Sequence, residues 1–312
     1  MKTNQHATVF VNPTAGKGRS VPVVPEVRNI FERAGWAADV VETGSVQELE
    51  RGGHAAIKNG SSLLVALGGD GTFQGLANAA YGADVILGIL PGGGGNDFAD
   101  ALGLPQDAVL AAKAMLAGQV RWVDLARART ADGRERLYMG GGGLGIDAEA
   151  AQFANSRYRE VAGRRRYMVS AVRALCSYRA LEIRAEFPGT ELPAVQRKVL
   201  LASVLNTPSY GAGIRLAPEA EVDDGLLDLV LVENRNVLSA LTLLPRLMTT
   251  GELRARRMER VRVQRVRLTA DRAAEFHGDG EILGPAPVEI EVLPRAVRIL
   301  APRRVSEPAP RP

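Results

Sequence analysis

Three glycine-rich segments near the start constrain this chain more than anything else in it: Asn12-Pro13-Thr14-Ala15-Gly16-Lys17-Gly18, Gly68-Gly69-Asp70-Gly71-Thr72 and Pro91-Gly92-Gly93-Gly94-Gly95-Asn96-Asp97-Phe98. Each follows a short apolar run: Val9-Phe10-Val11, Leu63 to Leu67 and Val85 to Leu90. Uninterrupted runs of this length suit strands covered on both faces, and their alternation with helix signals implies a parallel α/β sheet. Loops at the C-terminal ends of such strands bind ligands, and a chain without Cβ atoms lets phosphate approach its N–H groups. Four consecutive glycines without a task would be an entropically costly connection.

The punctuation between these loops agrees. Ser20 reads as the cap of a helix with Val23, Val27, Ile30 and Ala34 on one face and Gly35 as its stop. Ser45 and Glu48 have capping-box spacing, opening a helix that ends at Asn59-Gly60, and Gln106 to Ala117 reads as another helix. From Arg121 the texture changes to a mostly antiparallel half. Asp132-Gly133 predicts a type I′ hairpin turn. Val199 to Leu205, Leu226 to Val232, Val261 to Leu268 and Val288 to Val292 read as strands, the third carrying an extra residue near Gln264-Arg265. Helical stretches are expected around 164–178 and 237–249, and the proline-rich tail 302–312 reads as disordered.

Composition serves mainly to exclude. With 46% apolar and 24% charged residues the chain is neither disordered nor fibrous, and no apolar run is long enough to cross a bilayer. A single cysteine, Cys176, excludes an internal disulfide framework and a cysteine-based zinc cage. The first residues lack the pattern of a secretory leader, so the expected location is the cytoplasm. The net charge of +4 is unevenly spread: Arg157 to Arg184 holds eight arginines against Glu160 and Glu182, and Arg246 to Arg272 holds nine against Glu252, Glu259 and Asp271. Such clusters suit anionic lipid or nucleic acid, or simply a solvated face.

The three loops together resemble the diacylglycerol kinase catalytic-domain family, in particular its soluble bacterial lipid kinases, with sphingosine and ceramide kinases as relatives. The likeness continues through Gly141-Gly142-Gly143-Leu144-Gly145-Ile146-Asp147-Ala148, through Tyr210-Gly211 with Gly213, through Ala217-Pro218 with Asp223-Asp224-Gly225-Leu226, and into Asp279-Gly280-Glu281. The resemblance implies an α/β N-terminal domain with a parallel sheet, as in NAD kinases and diacylglycerol kinases, plus a mostly antiparallel β-sandwich C-terminal domain with helical insertions. The expected boundaries are 1–128 for nucleotide binding and 129–301 for the lipid substrate, with the C-terminal strand able to return to the first domain.

It also implies transfer of the ATP γ-phosphoryl group to a lipid hydroxyl, a step of phospholipid metabolism. By correspondence, nucleotide contacts fall on Asn12, Pro13, Thr14, Ala15, Gly16, Thr43, Gly69, Asp70, Gly71, Thr72, Phe73, Gln74, Gly75 and Gly94. Magnesium falls to Asp224 with the carbonyls of Glu221 and Leu226. Glu281 becomes the general base and Asp70 a second catalytic residue, read as lying on a solvent-facing turn, while Asp97 and Asp124 support a metal site. His277 reads as structural. Two places depart from the pattern: Gln74-Gly75 stands where many relatives have Asn-Glu, and Gly94 where they have threonine. The partners implied are a membrane lipid and, peripherally, an anionic bilayer, with no nucleic acid and with room for a homodimer. An NAD kinase-like enzyme and a non-catalytic nucleotide-sensing or nucleic-acid-binding module are the alternatives; the first lacks a second Asn-Glu segment, the second a recognisable reading motif.

Overall fold

In the computed structural model, residues 5–156, 169–170, 172–174, 178–211, 213–234 and 258–303 are described. The first third alternates: β1 (His6–Val11), α1 (Val24–Arg33), β2 (Ala37–Glu42), α2 (Val46–Lys58), β3 (Leu63–Gly68), α3 (Asp70–Ala80), β4 (Ile86–Pro91), α4 (Asp97–Ala101) and α5 (Ala108–Leu116). Strands β4, β3, β1 and β2 lie side by side, all parallel, and β3 is buried along its whole length. This is the doubly covered sheet that the apolar runs call for. Phe10, Phe31, Phe73 and Phe98 are essentially inaccessible to solvent between sheet and helices, each contributing on the order of 1.5–3 kcal/mol by burial.

The helix ends show which local signals acted. At α2, Ser45 Oγ accepts from Glu48 N at 3.2 Å, the cap expected from the spacing, while Glu48 Oε2 accepts from Gly44 N at 2.8 Å, one residue before the Ser45 N–H that a capping box would use. Ser20 does not cap α1. That helix starts after Val23 without a side-chain cap, and the Ser20 hydroxyl is buried with no hydrogen-bond partner, because Ser20 alone turns inward against the third glycine loop while Arg19, Val21 and Pro22 stay exposed; a Cβ on Gly92 would come within 2.4 Å of Ser20 Oγ.

The second part comprises β5 (Gln119–Arg129), β6 (Glu135–Tyr138), β7 (Gly141–Gly145), α6 (Ile146–Asn155), β8 (Leu181–Glu186), β9 (Val195–Leu205), β10 (Leu227–Glu233), β11 (Met258–Val263), β12 (Arg265–Ala270), β13 (Glu275–Gly278), β14 (Glu281–Pro285) and β15 (Val288–Ala301). Its pairings are antiparallel except one. β15 pairs antiparallel with β12 over Val288 to Glu291, then parallel with β4 at Arg298 and Ile299, so one strand threads both halves into a single 15-stranded sheet. β5 accompanies it, and their register breaks between Leu293 and Val297, where Arg295 has φ 51°.

Three expectations change here. β5 and β6 form the hairpin signalled by Asp132-Gly133, but only Gly133 has positive φ, so the turn is not type I′. It is a longer loop closed by Thr130 N to Arg134 O at 3.0 Å, with Asp132 Oδ1 accepting from Thr130 Oγ1 at 2.7 Å. The run Val261 to Leu268 is two strands, broken at Gln264, where the residue out of phase was expected. β8 was not anticipated, although Leu181, Ile183 and Ala185 are buried in alternation with polar neighbours, a pattern of period two. The helical stretch 237–249, Cys176, most of 164–178 and the tail beyond Arg303 lie outside the described residues. Among the described residues no helix is long and apolar enough to cross a membrane.

Candidate active site

The three glycine loops meet at the C-terminal ends of β1, β3 and β4. Gly92 N and Gly93 N donate to Gly68 O at 2.7 and 3.1 Å, which fixes the third loop against the second. At Gly93 an added Cβ would lie 2.6 Å from Gly69 Cα. Gly16 packs equally close to the third loop: it has φ 57°, and its Cβ would fall 2.4 Å from Gly92 O. Backbone meets backbone here, so only hydrogen fits.

Around this platform the residues named from sequence fall as follows. Asn12 Oδ1 accepts from Thr14 N and Thr14 Oγ1 at 3.0 and 2.8 Å, while its Nδ2 reaches Thr72 Oγ1 at 3.5 Å; Pro13 to Gly16 complete the first loop. Thr43 is buried at the end of β2, its N–H on Val11 O. Gly69 caps α3, whose first turn is Asp70, Gly71 and Thr72, and a helix start offers unpaired N–H groups and a positive end to an anion. Phe73 and Gly75 are buried behind that turn, and Gln74 sends Nε2 to Gly278 O at 3.2 Å. The residue that departs from the family pattern thus ties α3 to β13. Gly94 lies in the third loop and is not among the residues with positive φ.

Asp70 is half-buried in the first turn of α3 rather than on an open, solvent-facing turn. Its Oδ2 accepts from Asn96 N at 2.9 Å, and its Oδ1 is buried with no hydrogen-bond partner. Burial, reinforced by the carboxylates of Asp97 and Asp279, pushes its pKa up to about 7. Asn96 makes this approach feasible by adopting a left-handed conformation, φ 60°, while its side chain holds Gly93 N at 3.1 Å and Gln106 Oε1 at 3.0 Å. Asp97 Oδ1 accepts from Ser209 Oγ at 3.0 Å and Gly213 N at 2.8 Å, reaching across to the second half.

The opposite wall is the hairpin β13–β14. Asp279 and Gly280 both have positive φ, 49° and 86°, which is the two-residue turn that Asp-Gly favours. Asp279 takes three consecutive backbone donors, Met139 N at 2.7 Å, Gly140 N at 2.9 Å and Gly141 N at 3.2 Å. Burial outweighs these donors and raises its pKa to about 6. Glu281 opens β14, and a Cβ on Gly71 would lie 3.7 Å from its Oε1. The exposed Glu281 side chain therefore reaches the first turn of α3 at Gly71.

The remaining acidic residues form a second group at the joint between the halves. Asp124 is buried and holds Gly225 N and Arg295 N at 2.7 Å each, so it pins the 222–225 loop to the break in β15. Asp224 pairs with Arg262 and accepts from Leu226 N at 3.0 Å; burial is the main influence raising its pKa. Glu221 is exposed one turn earlier. Among the described residues no group of three or more His, Cys, Asp or Glu side chains is arranged to hold a metal ion by itself.

Sequence reasoning passed over one cluster. Asp147, in the first turn of α6, accepts from Ser203 Oγ at 2.8 Å and Tyr210 OH at 2.9 Å, with His277 Nε2 at 3.4 Å. Burial opposes its ionisation, but the His277 ring and the two hydroxyls prevail and hold its pKa below the ordinary value. The buried polar residue types were visible; their convergence from α6, β9, a loop and β13 was not.

Glycine loops on parallel strand ends, with carboxylates of a β-rich half brought against them, are the arrangement of an α/β protein built to handle phosphate. Residues 6–128 match the diacylglycerol kinase catalytic domain, and residues 142–301 match the YegS C-terminal NAD kinase beta sandwich-like domain. A diacylglycerol kinase of Mycobacterium tuberculosis is 30% identical over 299 residues, 95% of each chain, and one of Bacillus subtilis is 26% identical over 306 residues, 97% of this chain and 98% of that one. The fold is shared with a crystal structure of a diacylglycerol kinase from Bacillus anthracis, with a TM-score of 0.71 at 19% identity over 96% of this chain and 98% of that one. This chain belongs to the diacylglycerol kinase family.

Proposed function

We propose that the protein transfers the γ-phosphoryl group of ATP to the hydroxyl of a diacylglycerol-like lipid. The observation that carries the reading is the Glu281 carboxylate over the first turn of α3, where it can take the proton of a hydroxyl brought to the glycine loops. The loops supply donors for the phosphates of the nucleotide: Asn12 to Gly16, Gly69 to Gly75 and Gly94, with Thr43 behind them. Phosphoryl transfer is mostly positioning and charge stabilisation, and this platform is held rigid by its own backbone contacts.

The residues fit a divalent cation. Asp70 has a buried carboxylate oxygen without a hydrogen-bond partner amid Asp97 and Asp279, and Asp224 already attracts a cationic group, the Arg262 guanidinium. Magnesium needs only one or two carboxylates when phosphates complete its shell. Asp224 with the carbonyls of Glu221 and Leu226 would hold it at the joint, where Arg262 would have to yield, and Asp124 would support it; Asp97, expected beside the same ion, lies instead with Asp70 at the glycine loops. When bound, the ion neutralises charge that develops on the phosphates.

The arginine-rich segments support a second part of the reading, reversible attraction to an anionic bilayer that delivers the lipid. Sedimentation with phosphatidylglycerol vesicles should fall with salt; equal binding to neutral vesicles counts against it. For the reaction, purified protein is incubated with radiolabelled ATP and either a total lipid extract or NAD. Label in a lipid phosphate is expected. Label in a soluble nucleotide alone would replace the lipid reading by the NAD kinase-like one.

A further inference from the structure

The hairpin β13–β14 that carries Glu281 sits at the edge of the sheet, with β14 the last strand of its path. Its ladder to β7 has only two pairs, His277 with Gly143 and Gly278 with Gly142. The tip is held by Asp279 on the 139–141 backbone and by Gln74 on Gly278. β13 is four residues long and its ladder to β7 covers only the last two of them, so the side chains behind the tip decide how firmly the hairpin is held.

His277 is one of these side chains. Its side chain and that of Asp147 are only 3% and 6% exposed, 3.4 Å apart. Tyr210 stacks on the His277 ring, with centroids 6.0 Å apart and planes at 18°, and its hydroxyl donates to the same Asp147 oxygen. Tyr210 belongs to a short loop closed by its own reciprocal backbone bonds to Ile214, both 3.0 Å. In that loop Ser209 and Gly213 both donate to Asp97, the residue after Asn96, whose N–H holds Asp70. The contacts form a ring: Asp70, Asn96 and Asp97, the 209–213 loop, Asp147, His277, the Asp279-Gly280 turn, and Glu281 over Gly71. Neither ring nitrogen of His277 makes a hydrogen bond, so what joins it to Asp147 is a buried polar contact at 3.4 Å, backed by the stacked Tyr210 ring.

We propose that His277, through Asp147 and Tyr210, is a positioning residue for Glu281, fixing the hairpin at the distance from α3 that proton transfer needs. The inference rests on the lipid kinase reading for its catalytic consequence but not for the clamp itself. A displacement of about 1 Å at a reacting group can lower turnover by about 100-fold. His277→Leu keeps the volume and removes the polar contact. His277→Gln offers an amide N–H at the same reach, and Tyr210→Phe removes one donor to Asp147 while retaining the ring.

The test measures kcat, KM for ATP, melting temperature and hydrogen–deuterium exchange across 275–285 in the full chain. The expected result is a kcat about 10- to 100-fold lower in His277→Leu with KM for ATP within about twofold, substantial recovery in His277→Gln, and faster exchange confined to 275–285 and 208–214. If His277→Leu does not fold, Tyr210→Phe decides, with a several-fold loss of kcat at wild-type melting temperature expected. The proposal is overturned if kcat per folded molecule is unchanged in the variant that folds, if Gln recovers nothing, or if the hairpin amides exchange as in the wild type. Failure of the wild type to label any lipid would instead strike the kinase reading, and the exchange comparison would still decide whether the clamp exists.

Discussion

Replacing Asp70 by asparagine should stabilise the unliganded protein while destroying its activity. The carboxyl is raised from an ordinary 3.8 to about 7 by burial and by Asp97 and Asp279. At about 1.4 kcal/mol per factor of ten in proton affinity, that rise corresponds to about 4 kcal/mol of unfavourable charge at alkaline pH. The sign follows from proton counting. The folded value lies above the unfolded one, so the stability that Asp70 confers is complete below about pH 4 and is lost as pH rises through about 7. Asparagine can keep the acceptor for Asn96 N and puts an N–H₂ where Oδ1 now lies without a partner among acids. It should therefore gain about 2–4 kcal/mol at pH 8 and almost nothing at pH 4, which for a chain of this size is about 2–4 °C in Tm for each kcal/mol. Differential scanning fluorimetry of both proteins at the two pH values, without nucleotide or magnesium, measures this. A variant that melts at or below the wild type at pH 8, or that shows the same difference at both pH values, would refute the buried, repelled carboxylate. A gain in stability with lost turnover is what a strained functional group produces.

Glu281→Gln should lower kcat by about 10²–10⁴-fold with little change in ATP affinity; in steady-state assays, an effect confined to KM would make Glu281 a substrate-positioning group. Gly16→Ala combines φ 57° with a Cβ 2.4 Å from Gly92 O, so the first and third loops must separate, costing about 1–2 kcal/mol in backbone strain alone and raising KM for ATP; an unchanged melting temperature and KM would disprove the close contact. Gly94→Thr introduces no left-handed strain, since residue 94 lacks positive φ. The added hydroxyl should lower KM for ATP by a charge-assisted bond of about 1.5–3 kcal/mol, and weaker ATP binding in calorimetry would show that the loop departs from the family's nucleotide geometry.

What the sequence determined alone was whatever depends on neighbours a few residues apart. The strand–loop–helix order of the first third and the Ser45–Glu48 cap follow from patterning and spacing within one turn or one pleat. The family pattern also picked out Asp70, Asp97 and Glu281. Local chemistry misled where packing outweighed it. Ser20 had the right residue type for a cap and went into the interior, and Asp132 had the right type for a type I′ turn but hydrogen-bonded Thr130 in a longer loop. Only the tertiary structure decided that an Asp70 carboxylate oxygen is buried among acids, that Gln74 joins Gly278 across 204 residues of sequence, and that Tyr210, Asp147 and His277 form one cluster. The reason is dielectric and geometric: the ionisation of a carboxyl depends on which charges and how little water surround it, and those are set by β15 threading both halves into one sheet, a long-range pairing that no local pattern encodes.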